Sequence, residues 1–79
     1  SMHHYLHDIP FYVYKITNRS TGKYYFGSRY AHSKLGVHPE NDLWVKYFTS
    51  SQIIHKLIEE YGIHDFDVQI LNLGFDHID

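Results

Sequence analysis

The sequence contains no cysteine, so neither a disulfide nor a thiolate metal site braces the fold. That absence fits a reducing compartment, and a cytoplasmic location is the expectation. Uninterrupted apolar runs extend to only a few residues, which excludes a membrane-spanning helix. Low-complexity stretches and internal repeats are absent. Positive charge is also scarce: seven Lys+Arg stand against nine Asp+Glu, a formal net charge of −2. A duplex-DNA binder usually carries a basic face, and this chain has none in bulk. Its eight histidines add positive charge only below about pH 6.5. Seventy-nine residues allow one domain with a modest core.

Aromatic residues are abundant instead: eight Tyr, five Phe and one Trp. A tyrosine brings a large apolar body and a hydroxyl that needs a partner when buried. Ser1-Met2 reads as a cleavage scar, no signal peptide is expected, and residues 1–10 form an irregular lead-in ending at Pro10. A strand is expected after that proline, over Phe11–Thr17, because the stretch is aromatic and β-branched. Asn18 to Gly22 is turn chemistry, and Lys23–Ser28 makes the second strand of a hairpin. Residues 29–41 read as a loop. Asp42–Phe48 reads as a short helix capped by Asp42, with Leu43, Trp44, Tyr47 and Phe48 on its apolar side.

A longer helix is expected next. Thr49 with Gln52 fits a capping box, and Ile53, Ile54, Leu57, Ile58 and Tyr61 form one apolar stripe. Gly62 suits the residue that ends it. Phe66–Leu71 alternates and reads as a third strand. The order β-β-α-α-β predicts an α+β domain, a three-stranded antiparallel sheet with helices packed on it. It spans residues 11–73, with 74–79 as a tail. Setting Tyr14 opposite Tyr25 leaves residues 18–21 as a four-residue hairpin loop and puts both tyrosines on one face.

The string Tyr12-Val13-Tyr14-Lys15-Ile16-Thr17-Asn18, then Thr21-Gly22-Lys23-Tyr24-Tyr25-Phe26-Gly27-Ser28, resembles the paired signature of the GIY-YIG nuclease superfamily. Tyr replaces the Gly of the first triplet, and Phe replaces the Ile of the second. Gly27-Ser28-Arg29-Tyr30, His38-Pro39-Glu40-Asn41-Asp42-Leu43-Trp44, Tyr47-Phe48-Thr49-Ser50-Ser51 and Glu60-Tyr61-Gly62 are similar to a phage and mobile-element branch of homing-type endonucleases. The resemblance implies hydrolysis of DNA phosphodiester bonds with Mg²⁺ or Mn²⁺. Tyr14 then helps activate the attacking water, and Tyr25 contacts the phosphate or its water network. Gly27 allows close backbone packing, and Arg29 steadies charge on the phosphate. His38 serves as a further acid, base or phosphate ligand. Lys15 and Lys23, which flank the tyrosines, are candidates for the DNA backbone. A phage-encoded chain would work in the host-cell cytoplasm.

The resemblance also implies a metal-binding glutamate on a helix after the third strand. No glutamate of this chain occupies that position, since Glu40, Glu59 and Glu60 all precede the strand. The expectation is a C-terminally incomplete domain, inactive alone. A rival reading is a non-catalytic module that kept the fold to bind nucleic acid or protein. A sheet without a covering helix also invites a homodimer through its exposed face or edge. Blander readings stand beside these. Tyr12 and Tyr24 read as hairpin packing. Arg29 reads equally as a surface residue, and His38 first as a loop histidine. His3, His4 and His7 have metal-like spacing but no fixed element beneath them. Trp44, Phe48 and the stripe from Ile53 to Tyr61 read as core.

Overall fold

The central strand of the sheet is the first one, β1 (Asp8–Asn18), flanked by β2 (Tyr24–Tyr30) and β3 (Phe66–His77). The computed structural model describes the backbone of residues 8–30 and 38–77, with side chains for residues 11–30 and 38–72. Both neighbours run antiparallel to β1. A 3₁₀ turn (Pro39–Asn41) and one α-helix, α1 (Gln52–Tyr61), complete the elements. The α+β expectation holds, with one α-helix among the described residues where two were expected.

Alternation along β1 decides which face becomes the core. Tyr12, Tyr14, Ile16 and Asn18 are buried, while Phe11, Val13, Lys15 and Thr17 face the other side and are half-buried. The buried set joins Leu43, Ile54, Leu57 and Phe66 in one cluster. From α1 only Ile54 and Leu57 are buried, at 1 % and 6 % exposure. Ile53, expected in the core stripe, is 67 % exposed, and Tyr61 is exposed too. A helix pressed on a narrow sheet buries the arc around two neighbouring turns, and Ile53 lies outside it.

The hairpin register differs from the expected one by two residues. Tyr14 stands opposite Gly27, and Tyr25 opposite Ile16. An even shift keeps every side chain on its face, so Tyr14 and Tyr25 still share the inner side as diagonal neighbours. The turn sets this register. Asn18 N–H donates to the Lys23 carbonyl, and Gly22 N–H to the Asn18 carbonyl, each at 2.8 Å. Asn18 Oδ1 also accepts from the Thr21 N–H and hydroxyl. The loop is therefore 19–22, and Gly22 takes φ +76°, which a side chain would resist. Arg19 fastens this turn to the start of β3, donating to Asp67 Oδ1 and to the His64 and Phe66 carbonyls.

Other boundaries also moved. β1 begins at Asp8, before Pro10, and β3 runs to His77, pairing Gly74 to His77 with Asp8 to Phe11. Pro10 stands opposite Phe75 of β3. β2 continues through Tyr30, which places Arg29 on a strand and not in a loop. One extra residue in β3, Leu71, makes a bulge opposite Val13 and Tyr14.

The expected helix over 42–48 is absent. Trp44 takes φ +62° and Thr49 φ +70°, left-handed backbone that no α-helix tolerates. The Asp42 carbonyl accepts the N–H groups of Val45, Lys46 and Tyr47, and Trp44 N–H donates to the Tyr47 carbonyl. Trp44 is held in place by ring contacts with Phe48 and Phe66, both at 5.5 Å. The cap of α1 moved as well: Ser51 Oγ, not Thr49, accepts from the Ile54 N–H. Gly62 ends the helix as expected, at φ +87°.

The two isoleucines at the start of α1 separate burial from periodicity. Ile54→Ala should lower unfolding free energy by roughly 2–5 kcal/mol, whereas Ile53→Ala should change it by about 0.5 kcal/mol or less. Urea denaturation of both variants checks the pair.

Candidate functional site

The site grows from the inner rim of the β1–β2 hairpin. Tyr14 rises from the central strand, and Tyr25 and Arg29 rise from β2 on the same side. Gly27 lies between them, directly opposite Tyr14, and the reason for glycine is geometric. A Cβ built there would stand 2.3 Å from both Cζ and the hydroxyl oxygen of Tyr14. The Tyr14 ring therefore lies flat over the backbone of β2. Its centroid is 6.2 Å from that of Tyr25 and 6.2 Å from that of Tyr47.

The loop after the 3₁₀ turn closes over these residues. Thr49 Oγ1 is 2.9 Å from the Tyr14 hydroxyl, and the Tyr47 hydroxyl is 3.5 Å away. The first is a good hydrogen bond and the second is at the limit of one. The strained φ of Thr49 thus places its hydroxyl on Tyr14, where it serves better than as a helix cap. The Thr49 carbonyl is tethered in turn by His55 Nε2, at 2.6 Å, so α1 holds the loop in place. Tyr14 is 1 % exposed, and its hydroxyl faces these neighbours, not solvent.

Asp42 is the residue that sequence reasoning missed. Its Oδ2 accepts from the Tyr12 hydroxyl and from Arg29 Nε, both at 2.7 Å. The Arg29 guanidinium lies over the Tyr47 ring, 3.8 Å from the centroid. Nη1 and Nη2 of Arg29 have no hydrogen-bond partner among the described residues. Tyr25 is half-buried, and its hydroxyl is likewise unpartnered among them. The sequence signal for Asp42 was an acid within an apolar stretch. Its position also suited a helix cap, which hid the longer-range role.

The electrostatics follow from burial and pairing. Burial would raise the Asp42 carboxyl, but hydrogen bonds from Arg29 and Tyr12 and the Arg29 charge outweigh it and hold it below the usual carboxylate range. Burial pulls Arg29 down, yet Asp42 outweighs that and raises it. Tyr12 and Tyr14 are both pushed well above the usual phenol value, first by burial. For Tyr12 the Asp42 carboxylate adds to the rise, and for Tyr14 the Thr49 hydroxyl partly offsets it. Tyr14 is therefore a neutral phenol at pH 7.

The other expected site residues lie elsewhere. Lys15 is on the opposite face of the sheet, its Nζ 4.7 Å from the Tyr24 ring centroid and 5.4 Å from that of Phe26. Tyr24, expected as packing, is 60 % exposed on that outer face, while Tyr12 is fully buried. Lys23 is exposed beside the turn. His38 is exposed just before the 3₁₀ turn, and its carbonyl accepts from the Asn41 N–H. His3, His4, His7, His32 and Asp79 lie outside the described residues, as does the side chain of Asp76. Among the described residues no three His, Cys, Asp or Glu side chains lie close enough together to hold a metal ion. The one buried carboxylate at the site, Asp42, is committed to Arg29 and Tyr12. These residues do not fit a metal centre.

Two measurements follow. Gly27→Ala forces Tyr14 off the sheet and should cost roughly 1–3 kcal/mol, read from the urea midpoint. Both buried phenols keep protons that the unfolded chain releases above the ordinary value of 10.0. Stability is then full below pH 10 and falls above it, by about 1.4 kcal/mol per pH unit for each phenol. Unfolding free energies between pH 9 and 11 should fall more gently with pH in Tyr14→Phe.

Searches of curated proteins and of solved structures returned no match. One family model, described as "Putative endonuclease segE, GIY-YIG domain", matches residues 2–76. That match covers nearly the whole chain, including the hairpin that carries Tyr14, Tyr25, Gly27 and Arg29 and the loop that closes on them. The chain belongs to the GIY-YIG endonuclease family of the segE type.

Proposed function

We propose that this domain hydrolyses DNA phosphodiester bonds, with the phosphate received at Arg29 and Tyr25. The observation that carries the reading is the state of Arg29. Its Nε is fixed on Asp42, while its two terminal nitrogens are uncommitted among the described residues. A guanidinium fork of that kind matches two phosphate oxygens at once. In the transition state it offsets the charge that grows on those oxygens. The Tyr25 hydroxyl, four residues away on the same side of β2, supplies a further donor or acceptor.

Tyr14 acts at this rim. As a neutral phenol it is no standing base at neutral pH. Its hydroxyl, held by Thr49, contributes a fixed hydrogen-bond partner on the phosphate side of the rim. A divalent cation belongs to this reading only as the family resemblance implies it. Its carboxylate ligand would come from outside the described residues. Gly27 serves the site by admitting Tyr14. His38, Lys15 and Lys23 have no part in the chemistry proposed.

A second reading is supported by the acidic balance of the chain and by the lack of a metal-ligand cluster among the described residues. In it, the fold binds nucleic acid without cutting it. Plasmid nicking by this protein in Mg²⁺ or Mn²⁺ separates the two. The nuclease reading expects nicking that falls about 10²–10³-fold in Arg29→Ala and about 10²-fold or more in Tyr14→Phe, with folding retained. Folded protein that binds the plasmid and never nicks it supports the binding module.

A further inference from the structure

We propose that Tyr47, together with Asp42, is a positioning residue that holds the Arg29 guanidinium as a pre-aimed receptor for a phosphodiester. The inference rests on the phosphate role given to Arg29 above. It adds the part of the site that makes the arginine effective.

The chain has two arginines, and comparing them shows what is unusual about this one. Arg19 spends every nitrogen type on the protein: Nε on Asp67, Nη1 on the His64 carbonyl, Nη2 on the Phe66 carbonyl. That is how an arginine looks when its job is to staple two turns together. Among the described residues Arg29 spends only Nε, on a carboxylate whose side chain is 7 % exposed. Its own side chain is 32 % exposed, and its Cζ lies over the Tyr47 ring, 3.8 Å from the centroid. A stapling arginine has no need to leave its fork empty.

Two restraints act on the group. Asp42 fixes where Nε points within the guanidinium plane, and the Tyr47 ring fixes the plane itself. A free arginine side chain carries about 2 kcal/mol of rotamer entropy, which a ligand must otherwise remove on binding. Here the fold has already removed most of it. Asp42 does not cancel the receptor, because the same Oδ2 is shared with the Tyr12 hydroxyl and touches the far end of the guanidinium. The Tyr47 hydroxyl is not part of the device. At 3.5 Å from the Tyr14 hydroxyl it makes too long a contact to matter much. The ring is what counts, so phenylalanine should serve as well as tyrosine.

The test uses a short DNA duplex, with affinity read by fluorescence anisotropy, and the Arg29 Nε–H signal in ¹⁵N NMR. Arg29→Ala should weaken binding about tenfold or more. Tyr47→Leu should match it, and the double variant should be no weaker than either single one. Tyr47→Phe should bind within about twofold of the parent, since it keeps the ring. The Nε–H signal, slow to exchange in the parent and in Tyr47→Phe, should vanish in Tyr47→Leu and Asp42→Asn. Arg29→Lys leaves Tyr47 and Asp42 in place, so it guards against a folding defect; it should bind as weakly as Arg29→Ala. Parent-like affinity in Arg29→Lys would overturn the proposal, because a point charge would then suffice. So would Tyr47→Leu retaining both the signal and the affinity. If Arg29→Ala binds like the parent, the phosphate reading fails instead, and the NMR signal alone decides whether the clamp exists.

Discussion

A single carboxylate, that of Asp42, ties the parts of this small domain together. It accepts from Tyr12 on β1 and from Arg29 on β2. Its backbone carbonyl staples the turn that follows, and that turn delivers Leu43 to the core and Tyr47 to the arginine. A buried carboxylate without partners costs several kcal/mol, so the donors on both strands favour closure of the loop. Breaking a buried pair typically costs about 3–5 kcal/mol. The partial exposure of Arg29 puts this pair below that range, because the guanidinium can turn back to water. Among the described residues no buried side-chain polar atom lacks a partner, so the polar centre is satisfied as built.

The high tyrosine content takes on a physical meaning in this frame. Tyr12 and Tyr14 fill the core with their rings and meet polar partners at their tips. Phenylalanine would fill the same space but leave Asp42 and Thr49 short of contacts. On the far side of the sheet the aromatics behave differently. Tyr24 and Phe26 meet edge to face at 5.5 Å and are capped by the Lys15 ammonium. That arrangement shields exposed rings with a charged stem. The two faces therefore divide the work: polar-tipped rings inward, cation-covered rings outward.

Local pattern made much of the fold legible. The three strands, the main helix and its terminal Gly62 each follow from periodicity or turn chemistry within a few residues. What failed were choices between two locally equal options. Thr49 and Ser51 both suit a helix cap, and the long-range bond to Tyr14 drew Thr49 away. Asp42 suits a cap as well, but its partners lie 13 and 30 residues away in sequence. A window of ten residues carries no trace of such contacts. The hairpin register failed for a similar reason, since loops 18–21 and 19–22 both have acceptable turn residues. For the site, Tyr14, Tyr25 and Gly27 came from the paired-triplet resemblance and Arg29 from the arginine it implies after the second strand, and the four lie on one side of the hairpin. Lys15 does not, because adjacent strand residues point to opposite faces.

The contact between Gly27 and the ring of Tyr14 has a consequence over evolutionary time. Position 27 accepts a side chain without penalty only after position 14 has lost its large ring. A lineage that abandons the buried phenol for a smaller residue frees position 27 to drift to alanine or serine. Once that second change has occurred, restoring tyrosine at 14 meets a filled space. The pair thus imposes an order on change: position 27 must return to glycine before position 14 can regain its ring.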